Sequence, residues 1–142
     1  MIVGVHHFGL TVRHAETSAL WYTEVLGFRR VGEQVAPNGA YRKIFLIQDG
    51  LRTRLGLTEH RDGTRELFDE SSVGLDHLAF AVQSRAELEG WVERLAAAGV
   101  EYTPPVPSRS LAGAAVVVFR DPDNIQLEFF HDPAWDPAWD PA

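Results

Sequence analysis

Among the histidines and carboxylates of this sequence, the types that hold a divalent metal ion through nitrogen and oxygen, three stand out by their strand setting: His7, His77 and Glu128. Two neutral imidazoles and one carboxylate make a facial set with three octahedral positions left open. That arrangement suits Fe(II), Mn(II), Co(II), Ni(II) or Zn(II), and the open positions suit a substrate that chelates through two oxygens. Taken singly, each residue has a plainer reading: a strand histidine is more often a hydrogen-bonded structural residue, and a strand glutamate is more often exposed or paired with arginine. The neighbours change this. Around His7 the chain alternates, with Phe8, Leu10 and Val12 on one face and His7, Gly9 and Thr11 on the other. Around His77 the same alternation sets Leu78, Phe80 and Val82 against His77, Ala79 and Ala81. Each histidine therefore shares its face with small residues that leave room for a cavity, while the bulky face is left to pack on helices. In the last strand candidate, Ile125, Leu127 and Phe129 form the apolar face, so Gln126, Glu128 and Phe130 point the other way. A lone carboxylate on an enclosed face is costly unless a cation satisfies it.

The elements that must position these residues occur twice. From Ala15 to Leu26 the segment reads as a helix stopped by Gly27, followed by strand candidates at Arg29–Glu33, Arg42–Gln48 and Thr53–Thr58. The polar stretch His60–Ser72 has no sustained period and reads as a linker with at most one helical turn. The pattern then restarts with a strand at Gly74–Val82 and a helix to Ala98, which opens on a capping-box signature at Ser84 and Glu87. Strand candidates follow near Val100–Thr103, at Ala114–Asp121 and, after a DPDN turn, at Ile125–Phe130. His77 lies 70 positions after His7, each in an alternating strand that leads into a helix ending at glycine, which points to an internal duplication of a βαβββ unit. The expected organisation is one α+β domain over residues 1–131, with module one at about 1–60, a linker at about 60–73 and module two at about 74–131. Residues 132–142, a tandem Asp-Pro-Ala-Trp repeat, are expected to be an extended or flexible tail.

Composition narrows the classes. The chain has no cysteine, which excludes a thiolate nucleophile, a thiolate-bound metal and a disulfide framework. Its formal charge of −7 and lack of clustered Lys and Arg argue against a nucleic-acid partner. No apolar run is long enough to cross a bilayer and no secretory signal opens the chain, so a cytoplasmic protein without a membrane partner is expected.

The segments HHFGLTV, LWYTEVLGF, GLDHLAFAV and FRDPDNIQLEFF together resemble the vicinal oxygen chelate superfamily of glyoxalases, bleomycin-resistance proteins and extradiol dioxygenases, over nearly the whole chain except the tail. The resemblance implies two tandem βαβββ modules forming an incomplete barrel around a metal site, with one divalent ion (Fe, Mn, Zn, Ni or Co) per site. It assigns the first ligand to His7 rather than His6, the second to His77 and the carboxylate to Glu128. It also implies a small-molecule substrate and, because half-barrels expose sheet edges, a homodimer. Gly56 stands where glyoxalase I and the methylmalonyl-CoA epimerases carry a further Glu or Gln, and Glu59 has the wrong parity to replace it; this argues against glyoxalase I activity.

The resulting expectation is a metal-dependent lyase, transferase or dioxygenase. No catalytic acid or base is assigned; Tyr41, Arg109 and Phe130 are the candidate substrate contacts. A dioxygenase would draw a further acid or base from His60, Tyr41 and Tyr102. A thiol transferase like the fosfomycin-resistance enzymes would need cations, for which Arg42, Lys43, Arg109 and Arg120 are available, although Gly9 replaces those enzymes' threonine and their potassium loop is not found. The alternative of another class is a bleomycin-resistance-like protein that sequesters a cationic small molecule without catalysis, a role suited to the charge of −7. A third reading makes His7 and His77 plain core residues of a domain that binds nothing.

Overall fold

The computed structural model describes residues 1–135, so the last Asp-Pro-Ala-Trp repeat and the expectation of a flexible tail at 136–142 lie outside the described residues. The chain divides into two compact units, Met1–Phe68 and Asp69–Ala142.

The first unit runs β1 (His7–Thr11), α1 (Ala15–Leu26), β2 (Arg29–Val35), β3 (Tyr41–Ile47) and β4 (Arg54–His60). Its sheet has the order β1-β4-β3-β2, with β1 parallel to β4 and the remaining pairs antiparallel. Helix α1 buries Ala15, Ser18, Ala19, Tyr22 and Leu26, a stripe at helical spacing, over the sheet side that carries Ile44, Leu46, Leu55 and Leu57. It ends at Gly27, whose φ of 74° is one that glycine adopts without a Cβ clash; the N–H groups of Gly27 and Phe28 close on Thr23 O and Tyr22 O. At its start the helix takes a cap from outside: Ala15 N donates to Glu59 Oε2 at 2.8 Å. Glu59 thus faces α1, on the opposite side of the sheet from His7. On that same outer side Glu16, Arg30, Glu33 and Arg42 form an ion-pair cluster, in which the Arg42 hydrogen bond holds the Glu33 carboxyl below the usual carboxylate range.

The second unit repeats the plan as β5 (Leu78–Val82), α2 (Arg85–Ala97), β6 (Val106–Pro107), β7 (Ala115–Arg120) and β8 (Gln126–His131). Its order, β5-β8-β7-β6, is that of the first sheet, again with the first strand parallel to the last. Ser84 caps α2 by accepting from Glu87 N, and the Glu87 carboxylate accepts in turn from Gln83 N. Leu88 and Leu95 are fully buried, and Trp91 stacks on Phe129 with ring centroids 4.4 Å apart.

The α+β class and the doubled βαβββ plan are therefore present, as two open four-stranded sheets. Two local expectations change. The strand expected near Val100–Thr103 is reduced to a single bridge, Tyr102 to Phe119, and the paired segment is Val106–Pro107. Pro104, Pro105 and Pro107 are the reason, since each removes a donor from the ladder. The linker carries turns and no helical segment among the described residues. No described helix is long and apolar enough to cross a membrane.

Candidate functional site

Glu128 is aimed by its neighbours. Leu127 and Phe129 are buried on the α2 side of β8, and Phe129 is held between Trp91 and Phe119, whose rings stack on it at 4.4 and 4.8 Å. Strand parity then turns Gln126, Glu128 and Phe130 to the other face. The register is set upstream, where Asp121 Oδ1 accepts from Asp123 N and Ile125 N at 2.9 and 2.8 Å and Asn124 takes a φ of 66°; the turn delivers Arg120 opposite Gln126. Beside β8 lies β5, with Ala79 opposite Glu128 and Ala81 opposite Phe130. His77 immediately precedes this strand, and its Nε2 stands 3.7 Å from Glu128 Oε2.

That separation can be judged against coordination geometry. Two ligand atoms at about 2.1 Å from a shared ion stand roughly 3.0 to 3.4 Å apart, so the pair is a few tenths of an ångström wide of a ligating arrangement. The Glu128 side chain is 14% exposed, and His77 is its one ion-pair partner among the described residues. The opposite edge of the imidazole is held: His77 Nδ1 lies 2.6 Å from Asp76 Oδ1. An enclosed carboxylate beside an imidazole, without arginine or lysine, is a donor set that fits a divalent cation.

His7 occupies the corresponding place in the first unit. Buried Leu10 and Val12 anchor one side of β1 and its continuation, leaving His7, Gly9 and Thr11 on the side away from α1. Its Nδ1 lies 2.9 Å from His6 Nδ1. The counterpart of Glu128 can now be read from the ladders: Ala79, two residues after His77, faces Glu128, and Gly9, two residues after His7, faces Gly56. Gly56 thus holds the equivalent position without a ligand. A Cβ there would meet the Lys43 side chain at 3.5 Å and Phe8 O at 3.6 Å, ordinary contacts, so sterics do not reserve the position for glycine.

The other predicted residues separate. Tyr41 is on the His7 side of the first sheet, opposite His60, their rings 6.3 Å apart; Lys43 and Phe45 continue the same face. Phe130 shares the Glu128 face, half-buried. Arg109 lies exposed in the loop between β6 and β7, which Ser108 Oγ organises by accepting from Ser110 N and Leu111 N; no hydrogen bond or ion pair ties Arg109 to His77 or Glu128 among the described residues. Two of the four cations considered for a thiol transferase are engaged with other partners. Arg42 is in the α1-side cluster, and Arg120 makes a bidentate pair with Glu70 at 2.7 and 2.9 Å and binds Gln126 Oε1. Tyr102 belongs to the second unit, where it bridges Phe119, and the Tyr41 and His60 pair belongs to the first.

Among the described residues no three His, Asp or Glu side chains are gathered closely enough to hold an ion. The structure assembles His77 with Glu128 and places His7 in the other unit. Sequence reasoning missed Asp76 and Glu70, and weighed His6 only as an alternative to His7. Asp76 carried a signal, since, like His6, it directly precedes a candidate ligand in one copy of the repeat. Glu70 sits in a linker without periodicity and carried none.

Solved structures share this architecture. A glyoxylase/bleomycin resistance protein/dioxygenase domain from Frankia sp. EAN1pec is 37% identical, with a TM-score of 0.82 over 92% of this chain and 98% of that one. A glyoxalase family protein from Enterococcus faecalis is 24% identical, with a TM-score of 0.76 over 90% and 97%. The fosfomycin resistance protein FosX from Listeria monocytogenes, solved with Mn(II) and sulfate, is 22% identical, with a TM-score of 0.67 over 93% and 94%, and shows the shared fold. No curated protein matches the chain. The family model for the glyoxalase/bleomycin resistance protein/dioxygenase superfamily matches residues 4–129, and the chain belongs to that superfamily.

Proposed function

We propose that this chain is a metal-dependent enzyme that binds a small substrate through two adjacent oxygens on one divalent ion held by His7, His77 and Glu128. The observation that carries the reading is the enclosed Glu128 carboxylate 3.7 Å from His77 Nε2, with no arginine or lysine paired to it among the described residues. The Mn(II) bound by FosX, which has the same fold, supports metal use within the superfamily. When bound, the ion supplies a Lewis acid and a template for the two oxygens. This chain's own residues do the rest: Phe130 and Tyr41 offer apolar surface on the two ligand-bearing faces, and Ala79, Ala81 and Gly9 keep those faces low enough to admit a substrate. With Gly56 in the fourth-ligand position, the protein supplies three donors and no carboxylate there to move an α-proton, so the reading favours a lyase, transferase or dioxygenase over a glyoxalase I isomerase. The active form is proposed to be a homodimer, because β1 and β5 are each the edge of a sheet and edges invite pairing.

Catechol, a neutral vicinal-oxygen chelator, tests the chemistry. Bound to the Co(II)-loaded chain it is expected to shift the visible cobalt bands with one-to-one saturation, and to leave the metal-free chain untouched. Equal binding to loaded and metal-free protein would contradict the reading and favour a binder of the bleomycin-resistance kind.

A further inference from the structure

We propose that Asp76 is a positioning residue for the metal centre: its carboxylate engages Nδ1 of His77, so that Nε2, the nitrogen facing Glu128, carries the lone pair that binds a cation. The inference rests on the metal reading above and adds a residue outside the ligand set. The geometry is direct, with Asp76 Oδ1 2.6 Å from Nδ1 on one side of the ring and Glu128 Oε2 3.7 Å from Nε2 on the other. An ionised carboxylate has no proton to give, so in this contact Nδ1 must be the donor, and a neutral imidazole that is protonated at Nδ1 has its lone pair on Nε2. The ring is thereby set in both tautomer and orientation before an ion arrives. Outer partners of this kind commonly support ligating histidines, and their loss costs roughly 10- to 100-fold in metal affinity.

The first module shows what Asp76 adds. There the residue before the ligand is His6, and its Nδ1 lies 2.9 Å from His7 Nδ1. Either ring can donate in that contact, so His7 is oriented but its tautomer is not chosen. The two copies of the repeat therefore prepare their ligands differently, with only the second preset by a carboxylate.

The test uses the full chain labelled with 15N-histidine, metal-free and well above the imidazole titration range, with ring nitrogen shifts reporting the tautomer of His77. The wild type is expected to show His77 protonated at Nδ1. Asp76→Asn, whose amide oxygen still accepts, is expected to keep that tautomer; Asp76→Ala is expected to lose it, and His6→Ala to leave it unchanged. In parallel, Co(II) affinity measured against a competing chelator is expected to fall roughly 10- to 100-fold in Asp76→Ala and far less in Asp76→Asn. A His77 tautomer or a Co(II) affinity indifferent to Asp76→Ala, in a chain that binds Co(II) normally, would overturn this inference alone. A wild-type chain that binds no Co(II) would overturn the metal reading and this inference with it.

Discussion

At the scale of single residues, the proposed metal site turns on one carboxylate. Glu128 is 14% exposed with an imidazole as its one ion-pair partner among the described residues, so in the absence of a cation it costs stability. Replacing it with Gln is expected to leave the metal-free chain as stable as the wild type or more so, while abolishing the rise in melting temperature that divalent metal confers. Thermal unfolding with and without Co(II) checks this; a variant destabilised without metal, or still stabilised by it, speaks against a ligand role. The side of the sheet taken by Glu128 and His7, away from the helix in each unit, was legible because parity is a local property, fixed by Leu127, Phe129, Leu10 and Val12. The same parity kept Glu59 out of the ligand set, and its contact with Ala15 N shows what it does instead. What single positions could not reveal were contacts that depend on a side-chain torsion, such as Asp76 to His77, or on a distant segment, such as Glu70 to Arg120.

At the scale of elements, the β7–β8 hairpin is the part that delivers the carboxylate. Phe129 is packed on two aromatic rings, and Phe129→Ala is expected to cost about 3–5 kcal/mol, measured by chemical denaturation, and to weaken metal binding by loosening the strand. At the entry to β8 the Glu70 carboxyl is held down to about 2, chiefly by its hydrogen bonds from Arg120, against an ordinary value of 4.5. A depressed carboxylate stabilises the fold above its unfolded value and loses that contribution as the pH falls from about 4.5 toward about 2. Glu70→Gln is therefore expected to flatten acid unfolding in that window and to be less stable at neutral pH; an acid profile identical to the wild type would contradict it. Helices and long strands were readable from periodicity. The second module's first meander strand was not, because its prolines break the ladder into a bridge at Tyr102 and a two-residue pair at Val106–Pro107.

At the scale of the whole molecule, duplication explains why each unit carries a histidine at the same place in its sheet. Each unit brings one histidine on the side of its sheet away from its helix, and only the second has a carboxylate at the equivalent position, where the first has Gly56. The proposed dimer is expected to sediment at twice the mass of the chain, and a monomer at working concentration would rule the dimer out. Mixing His7→Ala with Glu128→Ala subunits restores a complete ligand set only where a site draws on two copies, so metal uptake by the mixture tells the two assemblies apart. The most direct measurement is the metal content of the protein, as purified and after reconstitution, beside His7→Ala, His77→Ala and Glu128→Ala. One divalent ion per chain is expected, lost in each variant without loss of fold; a wild type that takes up no metal, or variants that keep it, would overturn the three-ligand metal site.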